Sequence, residues 1–211
     1  MKAKKSVSMK AMVLLLALVL LIGCAAGGTL AWLMMKTDPI ENTFSAANIN
    51  ITLTETPNTD SGDADTTPDL WVGKLVPGTE IDKNPEVSVV AGSEACWLFV
   101  KVETAGGDVT VGSKTYGFSD FVTYSMASGW TEVPGAAGVY YRQVNADTAA
   151  AGISYDVISG NKVSIPETVT KAMLDLATGS KAPSLTFTAY AIQQEGFDTP
   201  AAAWTEAQKL G

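Results

Sequence analysis

The sequence predicts a mainly β protein, an antiparallel sandwich carrying one or two short helices and preceded by an N-terminal targeting helix. Three observations lead there. Apolar residues alternate with polar ones in short runs rich in β-branched and aromatic side chains. Pro-Gly and Gly-rich turns separate those runs, and no long helical pattern alternates with them, which disfavours an α/β layout.

The chain opens with Lys2, Lys4, Lys5 and Lys10, then the apolar run from Ala11 to Ile22, then Gly23-Cys24-Ala25-Ala26-Gly27-Gly28-Thr29-Leu30-Ala31. A basic start, an apolar stretch of this length and a small-x-Ala exit form the pattern of a secretory signal peptide. Residues 1–31 are read as that peptide, with Thr29 and Ala31 as the small residues the peptidase holds. Two other readings stand beside it. Leu21-Ile22-Gly23-Cys24 fits a lipoprotein signal with Cys24 as the acylated residue, and Ala11 to Met35 is long enough to remain as an uncleaved span. All three export the remainder, residues 32–211, which is long enough for one domain with its own core.

The 14 basic residues less the leader's four leave 10, set against 22 acidic residues, so the exported part carries a formal charge of −12. That charge argues against nucleic acid as a partner, and against anionic lipid beyond the N-terminal segment itself. Cys24 and Cys96 are the only cysteines. Once Cys24 is removed no internal disulfide can form, and Cys96, inside Ala95-Cys96-Trp97-Leu98-Phe99-Val100, reads as a small buried hydrophobe.

Along the exported part, Ile49, Ile51 and Leu53 mark a half-buried strand, and Val87 and Val89 a second. Cys96, Leu98, Val100 and Val102 form one face of a third, with Trp97, Phe99, Lys101 and Glu103 on the other. Val139–Val144, Lys162–Ile165 and Ser184–Gln193 follow. Val76-Pro77-Gly78-Thr79 predicts a type II turn; Ala105-Gly106-Gly107-Asp108, Pro134-Gly135 and Ser159-Gly160-Asn161 also turn the chain. Residues 145–152 are alanine-rich and read as a loop or a short helix. Helices are predicted from Pro166 to Ala177 and, capped by Thr199 with Pro200 at its first position, near the C-terminus. The stretch 54–69 (TETPNTDSGDADTTPD) has no periodicity and reads as an exposed acidic loop. Asp60, Asp63 and Asp65 are its weak calcium alternative, lacking the spacing of a calcium loop.

The chemistry of catalysis is thinly represented. The chain contains no histidine, which removes histidine triads, the usual zinc hydrolases and the commonest general base near neutral pH. It has no phosphate loop, dinucleotide fingerprint or nucleophile elbow. A non-catalytic protein without cofactor or metal is the expectation. Aromatic residues between Trp97 and Tyr141 suit either a core or a glycan-binding face.

Gly27-Gly28-Thr29-Leu30-Ala31-Trp32-Leu33, Asn42-Thr43-Phe44-Ser45-Ala46 and Ile49-Asn50-Ile51-Thr52-Leu53 resemble the start of the TasA/camelysin family. Trp71 with Lys74-Leu75-Val76-Pro77-Gly78-Thr79-Glu80-Ile81-Asp82-Lys83 is similar to that family's Pro-Gly segment. Ala189-Tyr190-Ala191-Ile192-Gln193-Gln194-Glu195-Gly196-Phe197, with Ala203-Trp204, resembles its closing strand and tail. The resemblance implies a jelly-roll-like sandwich, exported through a signal peptidase of the SipW type, that serves as a fibre subunit of an extracellular biofilm matrix or cell surface. It also implies self-association by strand addition. The donor segment would run from Trp32 to Phe44, with Trp32, Leu33, Met34, Met35, Ile40 and Phe44 as its apolar residues. Pro39 removes one hydrogen-bond donor from it. Camelysin is described within the family as a metal-dependent protease, an activity that a chain without histidine does not inherit. The rival reading is a surface adhesin or glycan-binding module, lipidated at Cys24.

Overall fold

Strand pairing in the computed structural model, which describes residues 9–10, 12–14, 16–17, 48–55 and 75–210, follows the alternation of the sequence wherever a run exceeds about five residues. In chain order the strands are β1 (Ile51–Glu55), β2 (Glu80–Asp82), β3 (Pro85–Val89), β4 (Cys96–Ala105), β5 (Val109–Val111) and β6 (Lys114–Tyr116). β7 (Thr131–Glu132), β8 (Val139–Val144), β9 (Ile153–Asp156), β10 (Lys162–Ser164) and β11 (Ser184–Gln193) follow. Between residues 75 and 210 the α-helices are α1 (Phe118–Phe121), α2 (Ala146–Ala151), α3 (Lys171–Leu176) and α4 (Pro200–Ala207). The protein is thus mainly β, with antiparallel sheets.

A three-stranded sheet, β1-β3-β9, packs on a four-stranded sheet, β11-β4-β8-β7. Val87 and Val89 of the first meet Cys96, Leu98, Val100 and Val102 of the second, the set that alternation assigned to one face of β4. The register supports this, because Ile51 faces Val89, Leu53 faces Val87, and Ile153 and Tyr155 lie across from the same two valines. Trp130 ties the sheets together: its indole N–H donates to the Asp156 carbonyl at 2.8 Å. The Arg142 guanidinium lies 3.9 Å from the Tyr155 ring centroid and 4.9 Å from that of Trp130, and donates to the Ser128 carbonyl at 2.6 Å. Burial pushes this guanidinium below its ordinary pKa.

The opposite face of the four-stranded sheet is also covered. Trp97 and Phe99 pack with Val139 under α4, whose Ala203, Trp204 and Ala207 are buried. The predicted cap is present, Thr199 Oγ1 accepting from the Ala202 amide at 3.2 Å with Pro200 at the helix start. A second cluster forms around the β10-β2 ladder, where Phe121, Ile158, Val163, Ile165 and Met173 close on one another.

Several expectations are corrected. The helix anticipated from Pro166 begins only at Lys171, because Thr170 takes the N-cap role and accepts from the Met173 amide. Of the two readings of residues 145–152, the short helix is the one present: α2 is capped by the Asn145 side chain. With α1 added, the described helices exceed the one or two expected. Gly117 is the N-cap of α1; the Asp120 carboxylate accepts from the Gly117 amide at 2.8 Å, and Phe121, one of the aromatic residues between Trp97 and Tyr141, is fully buried. The acidic stretch from residue 54 also starts differently: Thr54 and Glu55 belong to β1.

The turns match their residues. Gly78 has φ +77° and the Thr79 amide donates to the Val76 carbonyl at 3.2 Å, as a type II turn requires. Gly106 is the most constrained position of this kind. Its φ is +73°, and a Cβ there would lie 2.0 Å from the Ala182 carbonyl oxygen. Gly106→Ala should therefore cost at least about 1–3 kcal/mol from the left-handed backbone alone. Urea unfolding checks this, and a change below 0.5 kcal/mol on the order of an ordinary surface substitution would contradict it.

Residues 1–45 and 46–211 separate into two units. In the first, the described residues are helical and exposed, Met9, Met12 and Leu14 among them. Among the described residues no helix is long and apolar enough to cross a membrane.

Candidate functional site

β11 is the longest edge strand among the described residues. It pairs with β4 along all ten of its residues, from Ser184 opposite Ala105 to Gln193 opposite Cys96. On its other side it has no strand partner among the described residues. In an antiparallel ladder alternate residues direct both N–H and C=O toward the neighbour, so about half of this strand's backbone groups point away from β4. Natural edges are usually protected by charge, proline, a bulge or brevity. β11 is long and contains neither a charged residue nor proline. Leu185, Phe187, Ala189 and Ala191 face the core, and Tyr190 and Ile192 pack toward α4. β1 forms the margin of the other sheet on the same side of the unit, close to β11.

Below these two margins lies a cavity of about 840 Å³. Leu53, Ile81, Phe118, Val163, Leu174 and Leu185 supply apolar wall from β1, β2, α1, β10, α3 and β11. The polar side chains of the wall are those of Thr54, Ser184 and Thr186 and an ion pair, Lys83 Nζ to Glu55 Oε2 at 2.5 Å, with only 9% and 11% of its two side chains exposed. Lys83 also lies 5.6 Å from the Phe187 ring centroid. The second carboxylate oxygen, Glu55 Oε1, is buried and has no hydrogen-bond partner among the described residues. Glu55 occupies the inward position after Ile51 and Leu53, so strand alternation turns its charge into the interior. That period was the available signal; the run of acids following it masked the residue as part of a loop.

The other candidates divide cleanly. Thr29, Ala31, Cys24, the segment Trp32, Leu33, Met34, Met35, Ile40 and Phe44, and the aspartates 60, 63 and 65 all lie outside the described residues. Among the described residues no cluster of three or more histidine, cysteine, aspartate or glutamate side chains could hold a metal. Trp97, Phe99, Phe121 and Trp130 are core residues, so these rings are not displayed together as a sugar-stacking surface. Cys96 is fully buried, and burial pushes its thiol from 9.0 up to about 11. The unfolded thiol ionises first, so this group removes stability as pH rises from 9 toward 11 and contributes nothing differential below that window. In a Cys24→Ser chain, iodoacetamide at pH 8 should leave Cys96 unmodified until denaturant is added; rapid labelling of the folded protein would contradict its burial.

In class, then, this is a mainly β, sandwich-like protein with a ten-residue edge strand that has no outer strand partner among the described residues, and a largely apolar cavity holding a buried ion pair. No protein-family model, curated protein or solved structure matches the chain.

Proposed function

We propose that this chain is an exported structural protein, a fibre subunit of a biofilm matrix or cell surface that assembles by adding a β-strand from one copy to the sheet of the next. The observation that carries the reading is β11, a ten-residue edge with neither charge nor proline and with no outer partner among the described residues. An added strand would satisfy its outward N–H and C=O groups and bury alternate side chains against the sandwich margin. On this reading the sheets follow a jelly-roll-like course and residues 1–31 direct export through a SipW-type signal peptidase. Residues 32–44 are the strand given to the neighbour, as the resemblance to the TasA/camelysin family implies. The adhesin reading is less favoured because four of the aromatic rings it would draw upon pack inside.

Filament formation by the purified secreted protein, followed by electron microscopy, tests the proposal. Removing residues 32–44 should abolish filaments while the remaining unit stays folded. Thr186→Lys places a charge on the exposed part of the β11 edge; it should cost no more than about 0.5 kcal/mol of stability yet suppress filaments. Unchanged filaments in the deletion variant would rule strand donation out.

A further inference from the structure

The cavity beneath β1 and β11 has a chemistry specific enough to name a ligand class. We propose that it binds a neutral amphiphile, an unbranched alkyl chain ending in a hydroxyl group. Its volume of about 840 Å³ falls within the range of small-molecule sites, roughly 300–1,000 Å³. Leu53, Ile81, Val163, Leu174, Leu185 and Phe187 offer hydrocarbon wall and accept no hydrogen bond from a ligand. The head group is selected by the Lys83–Glu55 pair. Because the two charges neutralise each other, a carboxylate head would meet the Glu55 charge, and an ammonium head would meet that of Lys83. Among the described residues the wall holds one buried acceptor without a donor, Glu55 Oε1. A buried carboxylate oxygen without a donor is costly, and an alcohol O–H supplies a donor without adding charge. The hydroxyl hydrogen would point to Oε1, and the alkyl chain would lie along Leu185 and Leu174.

The chain's own Leu70-Trp71-Val72 is a competing occupant, since Glu55 and Leu75, which flank that stretch in sequence, both line the cavity.

Titration of the full chain with 1-decanol, decanoate and decylammonium, read by calorimetry and by the methyl resonances of Leu174 and Leu185, tests the assignment. Decanol should bind one to one and shift those resonances, with the two charged probes at least ten-fold weaker. Ala177→Phe fills the cavity from its wall without touching the ion pair and should remove decanol binding; Leu174→Trp is a second filling variant if the first does not fold. Absence of decanol binding, equal affinity for decanoate, or undiminished binding by a folded filled variant would overturn the proposal. Binding that appears only after residues 58–72 are deleted would also overturn it and assign the cavity to the chain itself.

Discussion

Replacing Lys83 by alanine should lower the unfolding free energy by about 3–5 kcal/mol, because the Glu55 carboxylate would stay buried without its cation. The lysine ammonium sits 2.5 Å from Glu55 Oε2, and both side chains are about nine-tenths enclosed. Glu55 is held there by its strand: Ile51 and Leu53 on the same side of β1 are packed into the core, so the carboxylate cannot turn outward without dragging them from the valines opposite. Removing both charges together has a different sign of argument. A Lys83→Met, Glu55→Leu double variant replaces a desolvated pair by hydrocarbon of similar bulk, a change that is often neutral or stabilising by about 1–4 kcal/mol. The double variant should therefore be more stable than Lys83→Ala in urea denaturation. A single-variant loss under 1 kcal/mol, on the order of an exposed pair, would show that water reaches Glu55.

Phe99→Ala should cost a similar amount, about 3–5 kcal/mol, by leaving a cavity between the four-stranded sheet and α4. Phe99 is completely buried, and its ring centroid lies 5.4 Å from that of Trp204. Trp204 in turn meets Tyr190 edge-on at 5.1 Å, so three rings from two strands and one helix share the contact. For a unit of this size the midpoint of thermal unfolding should fall by on the order of 10 °C. A double-mutant cycle with Trp204→Ala should return a coupling of about 0.5–1.5 kcal/mol attributable to ring geometry. Strict additivity of the two losses would mean that α4 is held by other contacts.

Both effects reside in places that the sequence reveals unequally. The long strands were legible because their alternation persists: Val139–Val144 and Ser184–Gln193 have the bounds read from the sequence, and β4 buries the face assigned to it. Phe99, assigned to the other face with Lys101 and Glu103, has its cover supplied by a helix about one hundred residues later, which a local pattern does not disclose. β2, β5, β6, β7 and β9 were not anticipated. Each has two to four residues, too few to display a period, and each exists because a partner strand satisfies its backbone. α1 is a single turn held by the Asp120 carboxylate and the burial of Phe121. The cavity was illegible for a related reason, since its walls come from segments as far apart as Leu53 and Phe187. The edge character of β11 likewise depends on which strands pair, while its lack of charge and proline could be read directly from Ser184–Gln193.

The covering of the four-stranded sheet on both faces carries one more implication. With the β1-β3-β9 layer against one side and α4 against the other, sheet-on-sheet stacking of the kind that thickens amyloid has little bare surface to grip. If strands add at β11 as proposed, growth would be confined to one axis, giving slender threads of folded beads and not laminated ribbons.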